Sequence, residues 1–173
     1  DHFNKRDLIK GICPACAAIA LFALQTNAPS GGAGHRTSLR GGGPLTTLVI
    51  LDPKAAIPEE NQVKESLWVN LWLNVLNRKD LIGDTENNVD ELIFPWLAPT
   101  RTSESKTGED TYPTDTHPLQ MYWGMPRRIR LDWEDLMEGS CDICGTVSDR
   151  LVRHYTTKNY GINYNGPWQH PLS

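Results

Sequence analysis

The chain has 173 residues, 39% of them hydrophobic, with a net charge of −4 and a sequence pI near 5.7. This length suits one domain with its own core, and the acidic balance excludes a broadly basic surface, so any nucleic-acid contact must be local. No apolar run approaches the roughly 18–20 residues that a membrane helix needs, which predicts no membrane partner.

The first third of the chain predicts a helix, a glycine-rich loop and a strand. Residues 15–25 are good helix formers that stop at Asn27 and Pro29, and we expect this helix to be buried. Six glycines follow between Gly31 and Gly43, a composition that lets a backbone approach a partner closely. Residues 46–52 are rich in β-branched side chains and predict a strand.

The middle of the chain combines one amphipathic helix with a long polar stretch. Residues 60–78 carry apolar side chains at four-residue steps, and the pattern predicts that Trp68 and Trp72 belong to the core. Residues 79–118 are polar and rich in turn formers, and we expect a flexible loop region there.

The last third predicts short strands. Ile129, Leu131 and Trp133 alternate with polar residues, as in a half-buried strand. "RLVRHYTTKNYGINYNGPW" at 150–168 predicts two short strands or a hairpin around "NYGINYNG". The fold class is therefore α+β: a loop-rich single domain spanning residues 1–173, with short antiparallel strands and two or more helices.

The four cysteines of the chain form two C-x-x-C pairs, Cys13/Cys16 and Cys141/Cys144. Each spacing suits a metal-binding knuckle, and two knuckles complete the tetrahedral thiolate shell of structural zinc. Gly139 and Gly145 can supply the tight turns around the second pair. The pairs are 124 residues apart, much farther than in a compact zinc ribbon. The pattern predicts a Zn²⁺ that holds the chain together and leaves no open position for catalysis.

Two other interpretations of the cysteines stay open at this point. "CPAC" at a helix start could be a redox pair, because a helix N-terminus favours a thiolate, but the strand that should precede such a motif is missing. The thiols could also be unliganded or joined in disulfides. The five histidines are scattered, and no nucleophile elbow or phosphate-binding loop is present, so we predict no catalytic residues and no enzyme activity.

Three segments together resemble the large (CasA-type) subunit of Cascade, the type I-E CRISPR surveillance complex. They are "CPACAAIALFALQTNAPSGGAGHRTSLRGGGPLTTLV" at 13–49, "LWVNLWLNVL" at 67–76, and "YWGMPRRIRL…CDICG…YGINYNGPWQHPLS" at 122–173. The resemblance implies a non-enzymatic subunit that recognises the target-flanking motif (PAM) on double-stranded DNA and helps to start strand separation. It also implies a longer chain, of which residues 1–173 are a part.

The resemblance assigns DNA contact to the glycine loop, which in that family lies against the minor groove. The implied loop residues are Ser30, Gly31, Gly32, Ala33, Gly34 and His35, with Arg36 and Arg40 placed to meet phosphates. The implied partners are double-stranded target DNA, the other Cascade protein subunits, the CRISPR RNA and a recruited helicase-nuclease, in a prokaryotic cytoplasm.

The chain departs from the best-known family member at two positions of this surface. Ala33 replaces a glycine of the loop, and Ser140 replaces a lysine that contacts the groove, so neighbouring arginines are the cations left for that contact. A thiol-disulfide oxidoreductase using Cys13 and Cys16, or a zinc-containing protein-interaction module without DNA contact, are the alternative functions.

Overall fold

The computed structural model describes residues 8–41, 49–52, 64, 66–83, 89–168 and 170. The helices of this part are α1 (Pro14–Thr26), α2 (Leu67–Trp72), α3 (Arg78–Ile82) and α4 (Asp90–Ile93), with 3₁₀ helices at Pro113–Asp115 and Pro118–Trp123. The strands are β1 (Asp110–Thr111), β2 (Arg128–Leu131), β3 (Leu136–Ser140), β4 (Val147–Val152), β5 (Tyr155–Lys158) and β6 (Asn163–Tyr164). They form three two-stranded sheets, with β2–β5 and β3–β4 antiparallel and β1–β6 parallel. The predicted α+β class with short antiparallel strands is confirmed.

Helix α1 occupies the predicted position but is not a buried helix. Pro14 suits the first position of the helix, because proline lacks the N–H group that would be unpaired there. At the other end, the Asn27 side chain donates a hydrogen bond to the Ala23 carbonyl at 2.9 Å. Only Ala17 is buried among its residues, whereas the side chain of Ile19 is 68% exposed. The prediction of burial was wrong. The helix carries apolar side chains on all sides, but only one side of it packs against the described residues.

Helix α2 is shorter than the predicted helix and turns its apolar side outward. Ser66 begins it by accepting a hydrogen bond from the Val69 N–H, and the helix ends at Trp72. Trp68 and Trp72 contact each other at a ring-centroid distance of 5.6 Å but are 66% and 55% exposed. Their predicted place in the core was therefore wrong. Residues 60–63 and 65 lie outside the described residues.

Asparagines in α2 and just after it bind the backbone of residues 49–51. The Asn74 side chain accepts a hydrogen bond from Val49 N at 2.8 Å and donates one to Val49 O at 2.7 Å, as a neighbouring strand would. Asn70 accepts a further bond from Leu51 N at 2.8 Å. Residues 49–52 are not in a strand, and residues 46–48 of the predicted strand lie outside the described residues.

Strands β2 and β5 pair in the register Arg128↔Lys158 to Leu131↔Tyr155. The predicted strand around Ile129 and Leu131 is confirmed, although it stops before Trp133, which is 47% exposed. The two predicted short strands are present as β5 and β6. They do not form a hairpin, because β5 pairs with β2 and β6 pairs with β1.

The described part of the polar stretch 79–118 contains several short elements. These are most of α3, all of α4, strand β1 and the first 3₁₀ helix. Thr111 and His117 from this stretch are fully buried, so part of it belongs to the interior. The expected flexibility of this region stays a prediction. Among the described residues, no helix has the length and apolar character needed to cross a bilayer.

Candidate metal centre and glycine loop

The second cysteine pair forms the turn of the β3–β4 hairpin. Cys141 N–H donates to the Thr146 carbonyl and Gly145 N–H donates to the Cys141 carbonyl, both at 2.9 Å, so the backbone closes a tight loop around the two thiols. Gly145 has a φ of +74°, a conformation that glycine adopts without steric cost. The turn residues next to the cysteines thus fix the direction of both sulfur atoms.

The first cysteine pair is brought to this turn by pairing with β4. Ile12 and Val152 exchange two backbone hydrogen bonds of 3.0 and 2.8 Å, which places Cys13 and the start of α1 beside the hairpin. Asp142 adds a second connection, because its carboxylate accepts hydrogen bonds from Lys10 N at 2.6 Å and Gly11 N at 2.8 Å. These bonds connect parts of the chain that are more than 120 residues apart.

The four sulfur atoms converge on one point. All four lie within 4.8 Å of one another, and Cys13 Sγ is 3.7 Å from Cys144 Sγ. A tetrahedron with metal–sulfur bonds of about 2.3 Å has edges of about 3.8 Å, so the cluster fits a four-coordinate ion. No disulfide joins the four thiols, and Cys13 and Cys141 are buried with Leu151 in one apolar cluster. The residues present can therefore hold a metal ion.

Hydrogen bonds shift the pKa values of two of these thiols in opposite directions. The Cys13 N–H, which lies 3.3 Å from Cys141 Sγ, and then the N–H groups of Cys144 and Ile143 lower the pKa of Cys141 to about 6. The hydrogen bond to Cys144, followed by burial, raises the pKa of Cys16 to about 12. Each C-x-x-C pair thus contains a thiol with a shifted pKa, and these two shifts are in opposite directions.

The glycine loop lies on the end of the β2–β5 ribbon. The Tyr160 N–H donates to the Gly34 carbonyl and the Asn159 side chain donates to the Ala33 carbonyl, both at 2.9 Å. Gly32 and Gly34 both have a φ of +77°, which forms the tight turn between them. The exposed residues of the loop are Ser30, Gly31, Gly32, Ala33 and His35. The loop therefore presents its backbone to solvent from a fixed base.

Replacement of Gly34 by alanine is expected to detach the loop from this base. A Cβ atom there would lie 2.8 Å from Asn159 Cβ and 3.1 Å from the Tyr160 ring, and a non-glycine residue at this φ costs about 1–2 kcal/mol. We expect the full-length protein to lose about that much unfolding free energy in urea, with faster hydrogen exchange at the Tyr160 amide. Gly31→Ala is the matched control, because its Cβ would meet nothing within 4 Å. Equal stability of the two variants would contradict the role given to Gly34.

The two arginines predicted to meet phosphates, Arg36 and Arg40, are both half-buried. Arg36 Nε donates to Ser103 Oγ at 2.8 Å, and its guanidinium carbon lies 5.9 Å from the centre of the Tyr160 ring. Arg40 is half-buried beside His170, and burial together with the Arg40 charge lowers the pKa of that histidine. Phosphate contact by either arginine stays a prediction.

The residues that support the loop were not predicted from the sequence. Arg127 contacts the His35 ring and the Pro29 carbonyl through its guanidinium, and its own backbone exchanges hydrogen bonds with Gln25 of α1. Tyr160 has a φ of +61°, which is uncommon for a non-glycine residue. No local signal predicts this conformation, because it is imposed by contacts with residues more than 50 positions away.

The fold and the site define an α+β protein with a four-thiol cluster that could hold a metal ion and with a glycine loop held on a structured base. The family model described as CRISPR-associated protein Cse1 matches residues 1–173. The chain belongs to this family, and the resemblance found in the sequence is thereby confirmed. Family membership implies a subunit of a CRISPR Cascade complex, with a structural role in that assembly.

Proposed function

We propose that this chain recognises the target-flanking motif on double-stranded DNA for a Cascade complex and helps to start strand separation there. Its partners in this role are the target duplex, the other Cascade subunits with the CRISPR RNA, and a recruited helicase-nuclease. The observation that carries the proposal is the exposed loop of glycine, alanine and serine, whose backbone is hydrogen-bonded at Ala33 and Gly34. Such a loop can enter a minor groove about 6 Å wide, where bulky side chains would clash.

The metal in this proposal is Zn²⁺ held by Cys13, Cys16, Cys141 and Cys144, within one domain over residues 1–173. A shell of four thiolates favours zinc or an iron–sulfur centre, and a single ion suits sulfur atoms that lie within 4.8 Å of one another. When bound, zinc would supply a cross-link and no catalysis, since the shell is full. It would fix the start of α1, and hence the loop that follows α1, to the β3–β4 hairpin.

A second candidate is a zinc-containing protein-interaction module without DNA contact. The exposed apolar side of α2 favours it, since Leu67, Trp68 and Trp72 are all more than half exposed. The two candidates are compatible in one subunit, but they differ in what the glycine loop does. Only the first requires that loop changes alter DNA binding.

The test is binding of a target duplex by the whole Cascade complex, assembled with and without this subunit. The duplex carries 2-aminopurine at the first base pairs beside the flanking motif, so that one sample reports both affinity and strand opening. We expect tight binding and a fluorescence increase only when the subunit and the correct flanking motif are both present. Binding and opening that do not depend on the subunit would contradict the proposed function.

A further inference from the structure

The β2–β5 ribbon carries cationic side chains along one of its faces. Side chains of directly opposed residues share a face, so Arg128 and Lys158 lie on the same side, and Arg130 and Thr156 follow on that side two residues farther along. The three cations come from only eight paired residues, in a chain whose net charge is −4. This concentration of positive charge is local and is not a feature of the whole surface.

The cationic face begins where the glycine loop is attached. The pair Arg128↔Lys158 ends the ribbon, and the residues just outside it, Arg127 and Asn159, are the ones that bind the loop. Arg130 lies about 7 Å farther from the loop, at about 3.4 Å per residue. Loop and cations therefore form one continuous surface, which we call the ribbon face.

Two cations of the ribbon face, Arg130 and Lys158, are accessible to solvent. The Arg130 side chain is 84% exposed and lies 4.0 Å from Glu134, which is 90% exposed. The Lys158 side chain is 68% exposed and lies 3.6 Å from Glu104. Exposed pairs at such distances contribute little free energy, so an incoming phosphate can replace either carboxylate.

Glu104 already binds Arg128, the third cation of the ribbon face. Glu104 Oε1 is 2.7 Å from Arg128 Nη1, and the hydrogen bond from Arg128, followed by the charge of Lys158, lowers the pKa of Glu104. Arg128 is 24% exposed and is thus mainly a partner of Glu104. The charge that remains available on the ribbon face is mainly that of Arg130 and Lys158.

A trough of about 560 Å³ runs along this ribbon. Its lining contains five cations and two carboxylates; the cations are Arg101, Arg127, Arg128, Arg130 and Lys158. A concave surface with excess positive charge concentrates the potential and attracts an extended polyanion. Thr156, which lies on the same side of the ribbon as Arg130, can add a hydroxyl donor for phosphate oxygens.

We propose that Arg130 and Lys158 bind the phosphate backbone of the duplex whose minor groove meets the glycine loop. The proposal rests on the proposed function, because the loop gives the position of the duplex. These contacts carry no sequence information. They set affinity and orientation, while the loop reads the groove.

The experiment measures duplex affinity of the assembled complex as a function of salt, with Arg130→Gln and Lys158→Gln combined in the full-length subunit. Loss of two phosphate contacts should lower the slope of log K against log salt by about 1.8, and affinity at 0.1 M salt should fall roughly 60-fold. Duplexes with and without the flanking motif should be affected equally. The matched control, Arg150→Gln with Lys79→Gln, removes the same charge from β4 and α3, and should leave the slope unchanged.

The remaining outcomes separate this proposal from the proposed function. An unchanged slope in the double variant would overturn the ribbon-face contact, and so would a defect limited to CRISPR RNA assembly, which would indicate an RNA contact. The charge-conserving pair Arg130→Lys and Lys158→Arg should restore the wild-type slope. If motif discrimination is absent even in the wild-type complex while the double variant still lowers the slope, the proposed function fails and the phosphate contact stands.

Discussion

Replacement of Cys141 by serine is expected to abolish stoichiometric metal binding and to unfold the region around the β3–β4 hairpin. The purified, reduced wild-type protein should contain about one zinc per chain, and the variant none. Cys141 is 3% exposed and packs with Cys13 and Leu151, so its loss removes a ligand and a core residue together. Because metal-binding free energy becomes folding free energy at such sites, we expect a loss of roughly 10 °C or more in Tm.

The control for this experiment is Ile143→Ser, in the same turn. Ile143 lies between the two cysteines and is 52% exposed, and its side chain is not a candidate ligand, so metal content should be preserved. Metal analysis and thermal unfolding, each with and without a chelator, provide the measurement. A metal-free wild-type protein in which Cys13 and Cys16 cycle between thiol and disulfide would refute the zinc site and restore the redox interpretation.

Replacement of Gly32 by aspartate is expected to abolish target binding by the assembled complex. Gly32 is exposed at the tip of the loop, where a carboxylate would add bulk in the groove and negative charge near phosphates. We expect affinity for a duplex with the flanking motif to fall by at least roughly a hundredfold, equal to about 2.7 kcal/mol. Electrophoretic mobility shift or fluorescence anisotropy with the assembled complex provides the measurement.

The matched control for Gly32 is Gly83→Asp. Gly83 ends α3 with a φ of +56°, and a Cβ there would meet nothing within 4 Å, so the change places the same charge at another glycine of positive φ, away from the loop. Binding by this variant should stay at the wild-type level. Unchanged binding by the Gly32 variant would refute the assignment of the loop to DNA.

Local sequence patterns predict the C-terminal end of α1 and the convergence of the two cysteine pairs in this chain. Helix α1 stops at Asn27 as predicted, and the two C-x-x-C pairs converge on one cluster of sulfur atoms as predicted. Both depend on interactions within a few residues, or on a ligand geometry that leaves few alternatives. The family assignment likewise follows from motifs that can be read directly along the chain.

Contacts distant in sequence explain what the patterns did not predict. The apolar stripe on α2 predicts a covered surface, but the pattern does not tell which part of the chain or which partner covers it. Among the described residues, Trp68 and Trp72 are exposed. Asn70 and Asn74 bind the backbone of residues 49–51 instead of facing water. Arg36 is turned toward Ser103 by a contact 67 residues away, which no spacing rule predicts.

The wide separation of the two cysteine pairs has a consequence for how the protein is made. At a synthesis rate of about 5–20 residues per second, Cys13 and Cys16 emerge from the ribosome roughly 6–25 s before Cys141. During this interval the nascent chain holds a two-thiol half-site that cannot complete a tetrahedral shell. A metal held by all four thiols could therefore be bound only after the β3–β4 hairpin has been synthesised, and oxidation of Cys13 and Cys16 before then would remove two of its four candidate ligands.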